Sequence, residues 1–540
     1  MRSKYRPNSV REPIGVASRI QSKLVSMASP LAASAFILAS AGVFAAPTSP
    51  VKVGEGAVIL KLRTLLAQRD DQSGVQILGV ERSGTSPDGR LDAHVLYVHG
   101  MGWAENAGTL GDSWHLVRAI EHAYGVSGSV DTMPRMCGDS SHVGPVPPIG
   151  GIRFGRPKPP SQPQLEPYAT DDPHSTVNLG SVACMDRVVV QIDAKHRVTI
   201  YRLLWDNLLY DAVLYPHIGY DDGIFGPFEL PQLEGGATDK PLEGYENLHI
   251  LRAPLTASVK NNMSSYGLSE AALYLGPLGE TLRKTVASAM CVVADESEHK
   301  GTRFAALAEE HEKSTSVEEA YAGVDIDREC QSSSVSQLHP TFAVVTESLG
   351  SRVVFDAIAR GDESGLARRF PRVGSTVAPE VFMLANQIPV LAPGELRKGA
   401  GTPSTEVKAR LIAFNEINDV LTYELVPYFE HLYNMRCRPQ ADAQIAVAAE
   451  CLARMSTPLQ MAEHRALLSD PMARQNLARV VGFEVVDVRA KFASQSWLTD
   501  AVDPLVAHGG YLDQPDLVRL MLCGVKDGRV LGAADGCSSH

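Results

Sequence analysis

Short apolar runs recur along this chain, separated by stretches whose apolar positions repeat at helical spacing. The runs predict strands at 57–62, 75–80, 94–98, 198–205, 342–345, 381–386, 407–414 and 481–488. Trp114, Leu116, Val117, Ile120 and Ala123 share one face of a predicted helix over 111–124. Leu278, Leu282, Val286, Ala287 and Met290 do the same over 277–293, and further helices are predicted at 264–274, 442–480 and from Pro515 onward. Strands alternating with helices imply a mostly parallel sheet covered on both faces. Functional groups of such sheets collect beyond the carboxyl ends of the strands.

Two regions interrupt the alternation. Residues 133–180 are rich in Pro, Gly and Ser and belong to a surface excursion assigned to 137–195. Residues 207–335 form a helical insertion, which either makes a lid over a site or pads the outside of the sheet. No internal repeat is visible.

The N-terminus follows another pattern. Arg2, Lys4, Arg6, Arg11, Arg19 and Lys23 precede an uncharged run from Leu31 to Phe44, and Val43-Phe44-Ala45 has small-x-small character. Residues 1–45 therefore read as a signal peptide, with an uncleaved single-span anchor as the alternative. The remainder, 46–540, reads as one domain. No later stretch is apolar enough to span a membrane. Export places the protein in the periplasm or outside the cell.

Composition is that of an ordinary globular protein, 44% hydrophobic and 21% charged. The formal charge is −12, and loss of the leader, with six basic residues and one acid, takes it to −17. Such a balance disfavours nucleic acid and simple attraction to anionic lipid. The eight cysteines, Cys137, Cys184, Cys291, Cys330, Cys437, Cys451, Cys523 and Cys537, suit disulfides in an exported protein. Eight cysteines allow about 105 connectivities. Nearest-neighbour pairing is expected, Cys437–Cys451 and Cys523–Cys537 foremost. No CxxC spacing points to zinc.

Candidate chemistry lies at the predicted strand ends. Thr346-Glu347-Ser348-Leu349-Gly350-Ser351 follows the 342–345 run and precedes a helical stretch, so Ser348 sits on a sharp strand-to-helix turn. His99-Gly100-Met101-Gly102 follows the 94–98 run, where glycines allow a tight turn. The N–H groups of Met101 and Leu349 are the candidate oxyanion donors. Asp419, with Glu416 as alternative, follows the 407–414 run and can orient a histidine. An N-cap role would also explain Asp419. His508, in a loop after the last strand, is the candidate general base. His431 and His464 are weaker rivals in helical patterns, and His99 is assigned to support of the oxyanion loop.

The order serine, acid, histidine, together with these four segments, resembles the α/β-hydrolase superfamily in its lipase- and esterase-like branch. The resemblance spans about 92–525. It implies an α/β-hydrolase fold, with Ser348, Asp419 and His508 as catalytic triad and Met101 and Leu349 as oxyanion hole. It also implies hydrolysis of a small-molecule or lipid ester without metal or organic cofactor. One position departs from the pattern: Thr346 stands where GxSxG has its first glycine. The same residues would serve acyl transfer to an alcohol, and a non-catalytic binding protein on this fold is the reading from another class. Oligomeric state is not legible.

Overall fold

The computed structural model describes residues 58–66, 77, 79–80, 91–100, 114–127, 152–155, 181–205, 269–276, 278–298, 324–326, 329–332, 342–361, 366, 379–391, 408–436, 478, 481–492, 504–526, 529–530 and 537. All belong to one compact unit made of 53–232 and 261–540. The strands of its main sheet are β1 (Val58–Leu65), β2 (Leu91–Val98), β3 (Ile152–Gly155), β4 (Ser181–Gln191), β5 (His196–Leu204), β6 (Val324–Asp325), β7 (Phe342–Glu347), β8 (Glu380–Leu384), β9 (Ala409–Glu416) and β10 (Phe483–Lys491). They lie in the order β1-β10-β9-β8-β7-β2-β5-β4-β3-β6. From β10 to β5 every neighbouring pair is parallel. β1 closes one side antiparallel to β10, and β4 runs antiparallel to both β5 and β3. The chain is thus an α/β protein with a mostly parallel sheet, as the alternation predicts.

Helices α1 (His115–Tyr124), α2 (Ser269–Leu275), α3 (Leu278–Glu298), α4 (Leu349–Ala359), α5 (Leu425–Arg436), α6 (Pro504–Gly509) and α7 (Pro515–Cys523) accompany these strands. The period of two in each strand divides the core between the sheet's faces. Leu96, Val98, Tyr201, Leu203, Val344, Met383 and Leu411 pack in one cluster with Leu282, Val286 and Met290 of α3 and Val353 and Val354 of α4. Val95, Tyr97, Ile200, Val345, Phe382 and Ile412 pack in the other with Leu116 and Ile120 of α1 and Leu517 and Met521 of α7. Strand β7 is buried along its whole length, hence its unbroken apolar spelling before Thr346.

Several elements differ from the sequence-based expectation. The 137–195 excursion supplies β3 and β4 to the sheet. Charges hide β4 in the sequence: Asp186 faces Arg202 across the antiparallel register, and both are fully buried as a bidentate pair. Arg202 also stacks 3.4 Å from the Trp114 ring centroid. Of the predicted strand 75–80, the described residues show a single antiparallel bridge, Ile77 to Val525. Helix α5 contains His431, whose helical pattern is legible in the sequence but without bounds; the predicted helix at 442–480 lies outside the described residues except for 478. Within 207–335, α3 buries Leu282, Val286, Ala287 and Met290 against the sheet.

Cys291–Cys330 and Cys523–Cys537 are disulfides, and Cys184 is also disulfide-bonded. Cys137, Cys437 and Cys451 lie outside the described residues, as does the 1–45 leader. No helix among the described residues is long and apolar enough to cross a membrane.

Candidate active site

Because β2, β5 and β7 to β10 are mutually parallel, their carboxyl ends share one edge of the sheet. Chain connections lead from β2 towards β5 but from β7 towards β8, so the strand order reverses between β2 and β7. A crevice at such a reversal is where ligands of open α/β sheets bind. The segments carrying Gly100 and Ser348 flank it.

Ser348 links β7 to α4 with φ 51° and ψ −123°, a backbone conformation costly for any residue with a side chain. Two hydrogen bonds and two close backbone approaches impose it. The Ser348 N–H donates to Leu384 O at the end of β8 (2.9 Å), and the Ser351 N–H returns to Ser348 O (3.1 Å). A Cβ on Gly350 would lie 2.4 Å from His99 O and 2.5 Å from Val98 O. A Cβ on Gly100 would lie 2.5 Å from the Ser348 Cβ. Glycine at both positions is thus what lets the end of β2 touch the serine turn. Thr346 is accommodated without glycine because its side chain faces the buried start of α4: Thr346 Oγ1 pairs with Ser351 Oγ at 2.8 Å.

Asp419 and His508 reach Ser348 from two other segments. Asp419 follows β9, and His508 sits on the short helix α6 instead of the loop expected for it. His508 Nε2 lies 2.9 Å from Ser348 Oγ, while Nδ1 lies 2.9 and 3.0 Å from the two carboxylate oxygens of Asp419. Ser348, Asp419 and His508 expose 4, 5 and 8% of their surface, so the three interact with little water between them. Leu421 N–H donates to Asp419 Oδ1 (3.0 Å), and the Thr422 hydroxyl donates to Oδ2. Burial alone would raise the Asp419 pKa, but His508, Thr422 and the Leu421 N–H outweigh it and hold the carboxyl below its ordinary value.

Glu416, the alternative acid, is engaged elsewhere. It accepts the Asn418 and Phe492 N–H groups, and burial raises its pKa. His99 is stacked on Trp205 at 5.1 Å, and its Nε2 accepts the Trp205 N–H. Leu349 is the first residue of α4, so its N–H lies at the positive end of a helix dipole. Met101 and His464 lie outside the described residues, as does the His431 side chain. Among the described residues, no group of three or more His, Cys, Asp or Glu could hold a metal ion.

Several neighbours of these groups escape prediction from the sequence. Tyr511 donates its hydroxyl to Asp419 Oδ2 (3.0 Å). Tyr97 donates to Glu347 Oε2 (2.7 Å), tying the residue before the serine to β2. Asp487 of β10 accepts the Leu425 and Val426 N–H groups at the start of α5, both at 2.8 Å. Each of these contacts joins segments distant in the chain, so none is legible in the sequence. Comparison with protein-family models, curated proteins and solved structures returned no match.

Proposed function

We propose that this protein is an exported serine hydrolase of the α/β-hydrolase type that cleaves a carboxylic ester. The observation that carries this reading is His508 bridging Ser348 Oγ and the Asp419 carboxylate at a positive-φ serine turn. Ser348 Oγ attacks the ester carbonyl as His508 Nε2 takes its proton. Asp419 keeps the Nδ1 proton in place and stabilises the imidazolium. The Leu349 N–H, with Met101 as the expected second donor, receives the charge on the carbonyl oxygen. One such donor is worth about 3 kcal/mol of barrier. Collapse expels the alcohol, protonated by His508, and water then releases the acid from the acyl-enzyme. The leader-like N-terminus and the disulfides support export.

Labelling with a fluorophosphonate probe tests the reading. The wild type is expected to label, and Ser348→Ala and His508→Ala to lose labelling and ester turnover while remaining folded. Ester cleavage retained by folded Ser348→Ala overturns it. Product analysis with added alcohols separates hydrolysis from acyl transfer.

A further inference from the structure

We infer that Tyr511 is a positioning residue that sets the alignment and the basicity of the Asp419–His508 pair. This inference rests on the catalytic reading above. Tyr511 lies three residues beyond His508, and both side chains reach the same carboxylate. Its hydroxyl does two things at once. It donates to Asp419 Oδ2 at 3.0 Å and accepts the N–H of Glu416, the last residue of β9, at 2.9 Å. One oxygen thereby registers the histidine's turn against both the acid and the strand from which the acid turn departs. The ring is 1% exposed and meets Phe492 edge-on at 5.0 Å, so the phenol has one position available. Phenylalanine could fill this space but could make neither polar contact.

The hydroxyl shares Asp419 with His508. Each donor on Oδ2 takes up part of the negative charge that would otherwise face the imidazole. Removing the phenol donor leaves a more basic carboxylate, which stabilises the imidazolium further and raises the histidine's proton affinity. Burial holds the Tyr511 pKa well above its ordinary value, so it remains a donor throughout the working range. Among the described residues, the titratable group beside this pair is Glu416, which accepts the Asn418 and Phe492 N–H groups and the Asn418 side-chain amide.

The test compares the full-length wild type with Tyr511→Phe on a soluble ester across pH. In Tyr511→Phe we expect kcat to fall about tenfold or more, with KM within about twofold. The acid limb of its kcat/KM profile should move up by roughly half a pH unit. Thermal unfolding monitors the fold. A second replacement retains the ring and hydroxyl: 3,5-difluorotyrosine at 511, a stronger donor, should move the limb down. It keeps the inference testable should Tyr511→Phe fail to fold. A lower rate with an unmoved limb in both replacements would mark Tyr511 as packing only and overturn the inference. So would unchanged kinetics in both. A folded wild type that neither labels with fluorophosphonate nor cleaves esters overturns the catalytic reading and this inference with it. An active wild type with unresponsive Tyr511 replacements overturns this inference alone.

Discussion

The serine turn and the acid–base turns meet within hydrogen-bond reach yet are held by different forces. Ser348 is fixed by backbone: a strained φ, an N–H on the neighbouring strand, and two glycines that would clash if they carried a Cβ. Asp419 and His508 are fixed by hydrogen bonds to the Asp419 carboxylate, from Tyr511, Thr422, the Leu421 N–H and each other. A steric restraint is indifferent to pH and intolerant of volume. A polar restraint tolerates isosteric change in shape but responds to charge. On the proposed reading, the reacting oxygen thus sits on the stiff half, and the groups that would change protonation sit on the polarisable half.

The largest expected effect breaks the polar half. Asp419→Asn is nearly isosteric, but its amide would face the Nδ1 position and the Tyr511 and Thr422 donors. The histidine then loses its tautomeric restraint and its counter-charge. If the proposed triad operates, turnover should fall about ten-thousandfold, as in triads that lose the acid's charge. Steady-state kinetics beside a circular dichroism spectrum checks this; a loss below about tenfold would remove Asp419 from the mechanism. Next comes the steric half. Gly350→Ala forces a methyl group towards His99 O and Val98 O, and the serine turn must shift. A displacement of about 1 Å in a catalytic group costs on the order of a hundredfold. Fluorophosphonate labelling should slow accordingly, with no movement of the pH limbs, in contrast to substitutions on the acid side.

This contrast also explains what the sequence shows and conceals. Ser348, Asp419 and His508 can be picked out because each follows a predicted strand and parallel strands bring their ends together. Gly100 and Gly350 are legible for a related reason, since small residues beside a serine turn have few other uses. Strand β4 is concealed because the Asp186–Arg202 pair is apolar in neither spelling nor isolation, and only the cross-strand register neutralises it. Tyr511 is concealed because a tyrosine near a helix start is ordinary until its hydroxyl finds Asp419. Alternation thus exposes the backbone-built half, whereas the hydrogen-bonded half depends on contacts between distant segments.

Beneath the acid turn lies a group whose effect should appear in stability, not rate. Asp487 caps α5, and burial raises its pKa to about 7. In the unfolded chain an aspartate titrates at about 3.9. The folded state therefore binds this proton more tightly, and folded stability should decline as pH rises from about 4 to about 7. The cost is at most a few kcal/mol, since each pH unit between the folded and unfolded titrations is worth about 1.4 kcal/mol. Thermal unfolding of wild type and Asp487→Asn between about pH 5 and pH 8 measures it. The wild type should show the steeper decline. Parallel slopes would mean that Asp487 stays ionised, held by the α5 N–H groups.

The smallest expected effect concerns Thr346, and it sharpens the comparison most directly. Thr346→Gly introduces the glycine that stands at this position of the GxSxG pattern. If glycine there were needed to relax the turn, turnover should rise. The packing points the other way. Thr346 is fully buried, its hydroxyl pairs with Ser351 Oγ, and the serine's strain is imposed by contacts on other sides. Removing the side chain forfeits a buried hydrogen bond and a methyl contact and frees the unfolded backbone. Stability should drop by about 2 kcal/mol, while kcat stays within about threefold, because barrier differences of this size lie below about 1 kcal/mol. Thermal unfolding and kcat on the same preparation decide the matter. A faster, equally stable enzyme would show that Thr346 strains the nucleophile; a slower, less stable one with unmoved pH limbs would show that it braces the steric half.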